Sequence, residues 1–360
     1  VNFEPSDIQR DLRDLAARVF DSETVPGADG DIRDAWRRYA EAGLIGITLS
    51  DRFGGAGLGA QEECIVLEEG GRALAAGPLI EALAILPVIE RHAEAQAARW
   101  LPEVVRGAAL LVPAMVDVGE PLRATAIGDG WEFHGAVSAV AHAPDADAFL
   151  AIALSERGPV SAIVARDAPG LGVSSQQGID LRPCGLVRFD RVSIAAEAVL
   201  GSGDPAEIAE ALTARIRVAA AASQLGIAAE ALRRTAEYVS QREQFGAPLA
   251  AKQAVRQRLA DAFIDVEAMR STLWRAAWAL DTLPDPAADV AVAKYWAASG
   301  GHRVVHAAQH LHGGIGADVS YPIHRYFLAA ARIGLILGGA EPILAELGRA
   351  IADGRAESLT

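Results

Sequence analysis

From Ser6 onward the chain sets apolar side chains mostly three and four residues apart, at Ile8, Leu12, Leu15, Val19 and Phe20. That period gathers them on one face of a helix, and Ser6 with Gln9 three positions later supplies a capping box to start it. Asp31 to Ala42 and Gly59 to Leu74 repeat the pattern. The glycines of Ser50 to Leu58 (SDRFGGAGL) end one helix and turn the chain into the next. From about Pro113 the period changes. Trp131 to Val140, Ala148 to Leu154, Val160 to Val164, Leu171 to Ser174 and Gly185 to Ile194 alternate or are continuously apolar over strand lengths. They are punctuated by GDG at 128–130, ERG at 156–158 and APG at 168–170. At least five strands joined by such turns imply a small antiparallel β domain. After Gly201 an alanine-rich helical pattern runs to the end, broken at Pro284 and Pro286 and again at Gly313, Gly314 and Gly316. The expected organisation is α+β: helical over 1–112, β over 113–202 and helical over 203–360.

Composition narrows the class. With 51% hydrophobic and 22% charged residues in 360, the chain is globular and not disordered. Uncharged apolar stretches such as Gly107 to Val116 and Val218 to Ser223 fall short of the roughly 20 residues a bilayer demands, so no membrane span is expected. The opening VNFEPSDIQRDL lacks a basic n-region and an apolar h-region, which points to the cytoplasm. Against 33 basic side chains stand 47 acidic ones, a net charge of -14 that opposes nucleic-acid binding. Cys64 and Cys184 form no CxxC and are expected to be buried as small hydrophobes. His302, His306, His310 and His312 crowd one helix. His306 and His310 share a face and could hold a metal, but no third ligand is evident, so no metal is expected. Trp274, Trp278 and Trp296 are expected in the core of the C-terminal helices.

Four segments carry a resemblance in their order and spacing. They are Asp51 to Arg72 (DRFGGAGLGAQEECIVLEEGGR), Leu101-Pro102 with Gly107, Gln241 to Pro248 (QREQFGAP) followed by Gln253 and Leu259-Ala260-Asp261, and His310 to Arg325 (HLHGGIGADVSYPIHR). Over nearly its whole length the chain resembles the acyl-CoA dehydrogenase family. These are FAD proteins with a helical N-terminal domain, a central β domain and a C-terminal four-helix bundle. The resemblance implies removal of a proton alpha to an acyl-CoA thioester, with hydride transfer from the beta carbon to flavin. It also assigns Arg242, Gln244 and Phe245 to cofactor contact, since a guanidinium at a helix end can grip a diphosphate from another chain. A guanidinium that only complements the helix C-terminus is the other reading of Arg242. Gly313 and Gly314 either let backbone amides approach the cofactor or only turn the chain. The family has Gln three residues before this pair, where His310 stands here with Gln309 beside it.

Two departures bear on function. The reaction needs a carboxylate base in a dry pocket, and the two places where the family keeps that Glu correspond here to Ile216, followed by Arg217, and to Leu337 or Gly338 within LILGGAEPI. Neither is acidic; Glu341 is the nearest displaced candidate, and its alternative role is that of a first-turn helix acid. The family's β-domain flavin motifs, T-E-x-x-x-G-S-D and W-I-T or W-I-S, correspond to Met115 to Ala124 (MVDVGEPLRA) and Ser138 to Ala143 (SAVAHA), where both are lost. Loss of the base and ring contacts beside intact Arg242, Gln244, Phe245, Gly313 and Gly314 resembles a non-catalytic subunit of the α2β2 acyl-CoA dehydrogenases that actinobacteria use on steroid side-chain thioesters. On that reading the FAD is shared with a catalytic partner subunit, the acyl-CoA substrate is met through the complex and an electron-transfer flavoprotein takes the electrons. Apolar faces around Ala254 to Phe263 and Val290 to Ala298 are expected to carry association. A self-contained dehydrogenase using Glu341 and a flavin-free structural paralogue remain the alternatives.

Overall fold

The capping box forms. Ser6 N donates to Gln9 Oε1 at 3.0 Å and Gln9 N to Ser6 Oγ at 3.2 Å, and α1 (Asp7–Asp21) runs on from it. The fold, a computed structural model, describes residues 4–21, 32–115, 119–201 and 203–354. Phe20 and Ala16 of α1 are buried, whereas Ile8 is exposed. Helices α2 (Ile32–Glu41), α3 (Ala60–Arg72), α4 (Leu79–His92) and α5 (Glu94–Val105) complete the N-terminal part. By its contacts the chain divides into two compact units. One is Val1–Asp21, Cys64–Ala75 and Arg217–Thr360, and the other is Ser22–Glu63 and Ala76–Ile216.

The second unit holds the sheet, of seven strands: β1 (Leu111–Ala114), β2 (Leu122–Ile127), β3 (Gly130–Ala141), β4 (Ala148–Ser155), β5 (Gly158–Ala165), β6 (Leu171–Gln177) and β7 (Pro183–Ile194). The five expected strands are present, and β5, β6 and β7 are longer than their apolar runs suggest. Pairing is antiparallel for β2 with β3, β3 with β7, β6 with β7 and β4 with β5. It is parallel where β1 and β2 pair with β4. These two strands carry little local signal, because β1 is four residues with Pro113 inside and β2 alternates in burial only at its start. Trp36 Nε1 donates to the Ala109 carbonyl at 3.1 Å, and Arg33 forks onto Asp147 at 2.7 and 3.1 Å, which ties α2 to the segments entering β1 and β4.

The first unit is helical, with α6 (Pro205–Gln241) from Arg217 onward, α7 (Gln253–Thr282), α8 (Ala287–His312), α9 (Ile323–Leu335) and α10 (Ala340–Ala352). α8 is its hub, packed by α7, α9 and α10. Buried Glu68 and Glu69 of α3 are paired with Arg13, Arg72 and Arg270. Val290, Ala291, Ala293 and Ala297 are buried within this unit, so that stretch of α8 is not free to carry association. Trp274, Trp278 and Trp296 are half-buried and not in the core, with Arg275 lying over Trp278 at 4.7 Å and Arg303 over Trp296 at 5.8 Å. Both cysteines are buried, and neither is in a disulfide. On average Ile323–Ala352 is apolar enough to cross a membrane. It is, however, two 13-residue helices separated at 336–339, each about 20 Å long against a hydrocarbon core of about 30 Å.

Where α3 crosses α6, backbone meets backbone. A methyl group at Gly226 would stand 1.8 Å from the Glu68 carbonyl oxygen, and one at Gly71 would stand 2.1 Å from that of Ser223. Main chain cannot step aside as the end of a side chain can. Gly226→Ala is therefore expected to destabilise the chain by about 1–3 kcal/mol, read as a lower denaturant midpoint at an unchanged m-value. Gly348→Ala in α10, with nothing within 4 Å, should leave the midpoint in place or raise it.

Candidate functional site

α6 closes with Arg242 N donating to the Tyr238 carbonyl at 2.8 Å, and the chain at once forms a minimal hairpin, β8 (Glu243–Gln244) with β9 (Ala247–Pro248). Its two-residue turn is Phe245-Gly246, with φ of 56° and 74°. Both turn residues are left-handed, as in the type I′ turn whose twist matches paired strands. Leu249 N donates to the Arg242 carbonyl at 2.8 Å and shuts the base of the hairpin. At its tip Phe245 is 91% exposed, with Lys252 Nζ 5.9 Å from the ring centroid. Arg242 and Gln244 are exposed as well, and the guanidinium makes no hydrogen bond or ion pair among the described residues. It therefore does not complement the carbonyls of its own helix end.

The second element is the end of α8. Gly313 adopts φ 64°, ψ -141°, a region closed to other residues, and leads into a 3₁₀ turn over Gly313–Ala317. Cβ atoms built at Gly313 and Gly314 would meet nothing within 4 Å, so this loop presents open backbone. Gln309 is turned inward, its Nε2 donating to the Gly316 carbonyl at 2.6 Å while its Oε1 is buried without a partner. His310 is exposed.

These two elements are brought together by residues that sequence reasoning passed over. Tyr238, one turn before Arg242, stacks on His312 at 4.4 Å with 19° between the ring planes, and its hydroxyl lies 3.5 Å from the His312 carbonyl. Tyr321 closes the cluster at 5.3 Å from His312 and 6.3 Å from Tyr238. Burial holds the Tyr321 phenol above its ordinary range, helped by Tyr238. The signal was the i, i+4 spacing of Tyr238 and Arg242, which sets both on one side of the helix end.

The other histidines face elsewhere. His302 and His306 stand 4.0 Å apart, with His306 edge-on to Phe327 at 4.7 Å, and with His310 they line a groove shared with Arg258, Asp261 and Asp265. Burial, then His306 and Arg303, holds His302 below the ordinary histidine value. No group of three metal-ligating side chains occurs among the described residues.

At the expected base positions the structure supplies no carboxylate. Ile216 is 3% exposed in the interior of α6. Next to it, Arg217 donates from Nε to the Leu337 carbonyl at 3.1 Å and forks onto Glu346 with two bonds of 2.9 Å. That fork holds the Glu346 carboxyl below its ordinary range. The turn thus anchored has Leu337 at φ 49° and Gly338 at φ 110°. A Cβ on Gly338 would be strained by the backbone and would press on Ile343 Cδ1 at 3.0 Å. Glu341 is exposed in the first turn of α10, outside any dry pocket. In the sheet, residues 116–118 of the Met115 to Ala124 stretch lie outside the described residues. Ser138 is exposed at an irregularity of β3 between Val137 and Val140, where Ala139 adopts φ 57°.

An exposed guanidinium with no partner beside an open diglycine turn is a donor set that fits a diphosphate-bearing group reaching it from outside. Residues 6–108 match the family model for the acyl-CoA dehydrogenase N-terminal domain, and residues 206–351 match that for the C-terminal domain. Among curated proteins, the acyl-CoA dehydrogenase FadE27 of Mycobacterium tuberculosis is 35% identical over 98% of this chain and 99% of its own. Among solved structures, the steroid ACAD Tcur3481-Tcur3483 aligns at 39% identity and a TM-score of 0.91, covering 98% of this chain and 99% of the other. The ChsE4-ChsE5 complex of Mycobacterium tuberculosis aligns at 34% identity and a TM-score of 0.91, with the same coverage. By sequence and by fold, the chain belongs to the acyl-CoA dehydrogenase family, whose members use FAD.

Proposed function

We propose that this chain is the non-catalytic subunit of a heteromeric (α2β2) acyl-CoA dehydrogenase, completing the FAD site of a catalytic partner subunit. The observation that carries the reading is that none of the expected base positions, Ile216 and Leu337 or Gly338, is acidic, and that the turn holding the last two is left-handed at both residues and tied down by Arg217. The partner supplies the Glu, the thioester pocket and the ring contacts. This chain supplies Arg242 and Gln244 to bind, Phe245 to cover, and the Gly313-Gly314 loop for close approach, with His310 as the exposed polar side chain beside it. When bound, FAD supplies the hydride acceptor. Residues from two chains can share one site, since positioning and charge complementarity depend on where atoms stand and not on which chain carries them.

The substrate class proposed is a steroid side-chain CoA thioester, in keeping with the steroid acyl-CoA dehydrogenase and the two-component complex among its relatives. An electron-transfer flavoprotein is the proposed acceptor, and the cytoplasm the proposed compartment. The direct test is co-purification from the native host with mass spectrometry of what is bound. A dehydrogenase chain with Glu at a base position supports the reading, and recovery of this chain only with itself contradicts it.

Exposure argues against Glu341 as a displaced base, because no described residue of this chain covers its carboxyl. Glu341→Gln in the complex is expected to leave kcat within a few fold. A general base contributes about 10²- to 10⁴-fold, so a loss of that size would mean that the base had moved along the chain.

A further inference from the structure

His312 is 3% exposed and sits one residue before the diglycine turn. Its Nδ1 lies 2.8 Å from the Ala308 carbonyl, which can only accept, so Nδ1 carries the proton in the neutral ring. Nε2 is buried and has no hydrogen-bond partner among the described residues. The ring face is covered by Tyr238, with Tyr321 at its side. Protonating Nε2 would place a second N–H and a full charge where no acceptor among the described residues meets them. Burial accordingly holds His312 below the ordinary histidine value, and the Ala308 bond offsets that only in part. The groups around the cluster are Tyr238, with Arg234 and Glu237, on α6, Asp318 and Tyr321 on the turn before α9, and His324 on α9, whose Nδ1 lies 2.7 Å from the Tyr321 carbonyl. Exposed His310 lies two residues away.

We infer that His312 is a positioning residue that locks the Gly313-Gly314 loop to the helix end carrying Arg242, and that it does so only as a neutral imidazole. The inference rests on the proposed role of these two elements as one flavin cradle. While the ring is stacked on Tyr238, the loop and the hairpin base are held as a single surface. A ring driven out of the stack by its own charge takes the adjoining Gly313 with it, and the cradle comes apart. The locked state is complete above the ordinary histidine range and is lost as pH falls below it.

The test is the rate at which the FAD-loaded complex loses flavin on gel filtration at about pH 8 and at about pH 6. The wild-type complex is expected to lose FAD about threefold to fourfold faster at the lower pH, since a released imidazole with the ordinary value of about 6.5 is about three-quarters protonated at about pH 6. His312→Phe, which keeps a ring in the stack but cannot take a proton, is expected to reduce that difference below about twofold. His324→Phe should keep the wild-type difference, and Tyr238→Leu should speed flavin loss at the higher pH. A flat wild-type profile, an unchanged profile in His312→Phe, a flattened one in His324→Phe or unaltered retention in Tyr238→Leu would overturn the inference. Arg242→Ala, run alongside, separates the two levels of argument. Faster loss at both pH values upholds the cradle whatever the histidine does, and no change at either means that this chain does not touch the flavin.

Discussion

A glutamate placed at Gly338 is expected to leave the isolated chain as inactive toward acyl-CoA thioesters as the wild type. A positioned general base contributes about 10²- to 10⁴-fold, so a chain that lacked nothing else would gain that much. Here the backbone stands in the way. Gly338 has φ 110° and its Cβ would press on Ile343, so a side chain forces the turn to rebuild against the Arg217 bond to Leu337. The other expected positions are no better, because Leu337 is left-handed at φ 49° in the same turn and Ile216 is packed in the interior of α6, where a charged carboxylate would be buried. The measurement is single-turnover oxidation of a thioester by the Gly338→Glu chain supplied with FAD. A gain of two or more orders of magnitude would show that only the base was missing.

Arg242→Ala in the complex is expected to weaken FAD retention about tenfold to a hundredfold while the subunits stay associated. A charge-assisted hydrogen bond contributes roughly 1.5–3 kcal/mol, and each 1.4 kcal/mol is about tenfold in affinity. The two properties should separate because the guanidinium has no partner among the described residues of its own chain. Exposed apolar side chains are present elsewhere, Phe263 and Ile264 on α7 among them, and association is expected to rest on such faces. Flavin per complex after gel filtration, alongside complex mass, checks this. Unchanged flavin assigns Arg242 to an empty surface, and dissociation makes its role structural.

Much of the fold was legible because its signals are local. The Ser6 and Gln9 capping box, the five recognised strands and the end of α6 at Gln241 are each set by a few neighbouring residues. The parallel pairing of β1 and β2 with β4 was not legible, since nothing in strands of four and six residues announces a partner more than thirty positions away. Phe245 and Arg242 could be singled out as residue types. That the hairpin thrusts them into solvent depends on the left-handed turn at Phe245-Gly246, which a side-chain pattern does not encode. The pairing of Tyr238 with His312 spans 74 positions, and of the tryptophans read as core, Trp278 and Trp296 turned out to share their faces with arginines. At Leu337 or Gly338 the sequence showed no acid, and the left-handed backbone of both residues is visible only in the structure.

Whether this chain completes a flavin site that it does not itself contain is read from the visible spectrum of the protein purified alone and after co-expression with a catalytic dehydrogenase chain. Little or no flavin absorbance is expected for the chain alone, and in the complex a bound flavin that bleaches when thioester is added. Stoichiometric FAD in the single chain, bleached by an acyl-CoA, would contradict that expectation and make this protein a self-contained dehydrogenase.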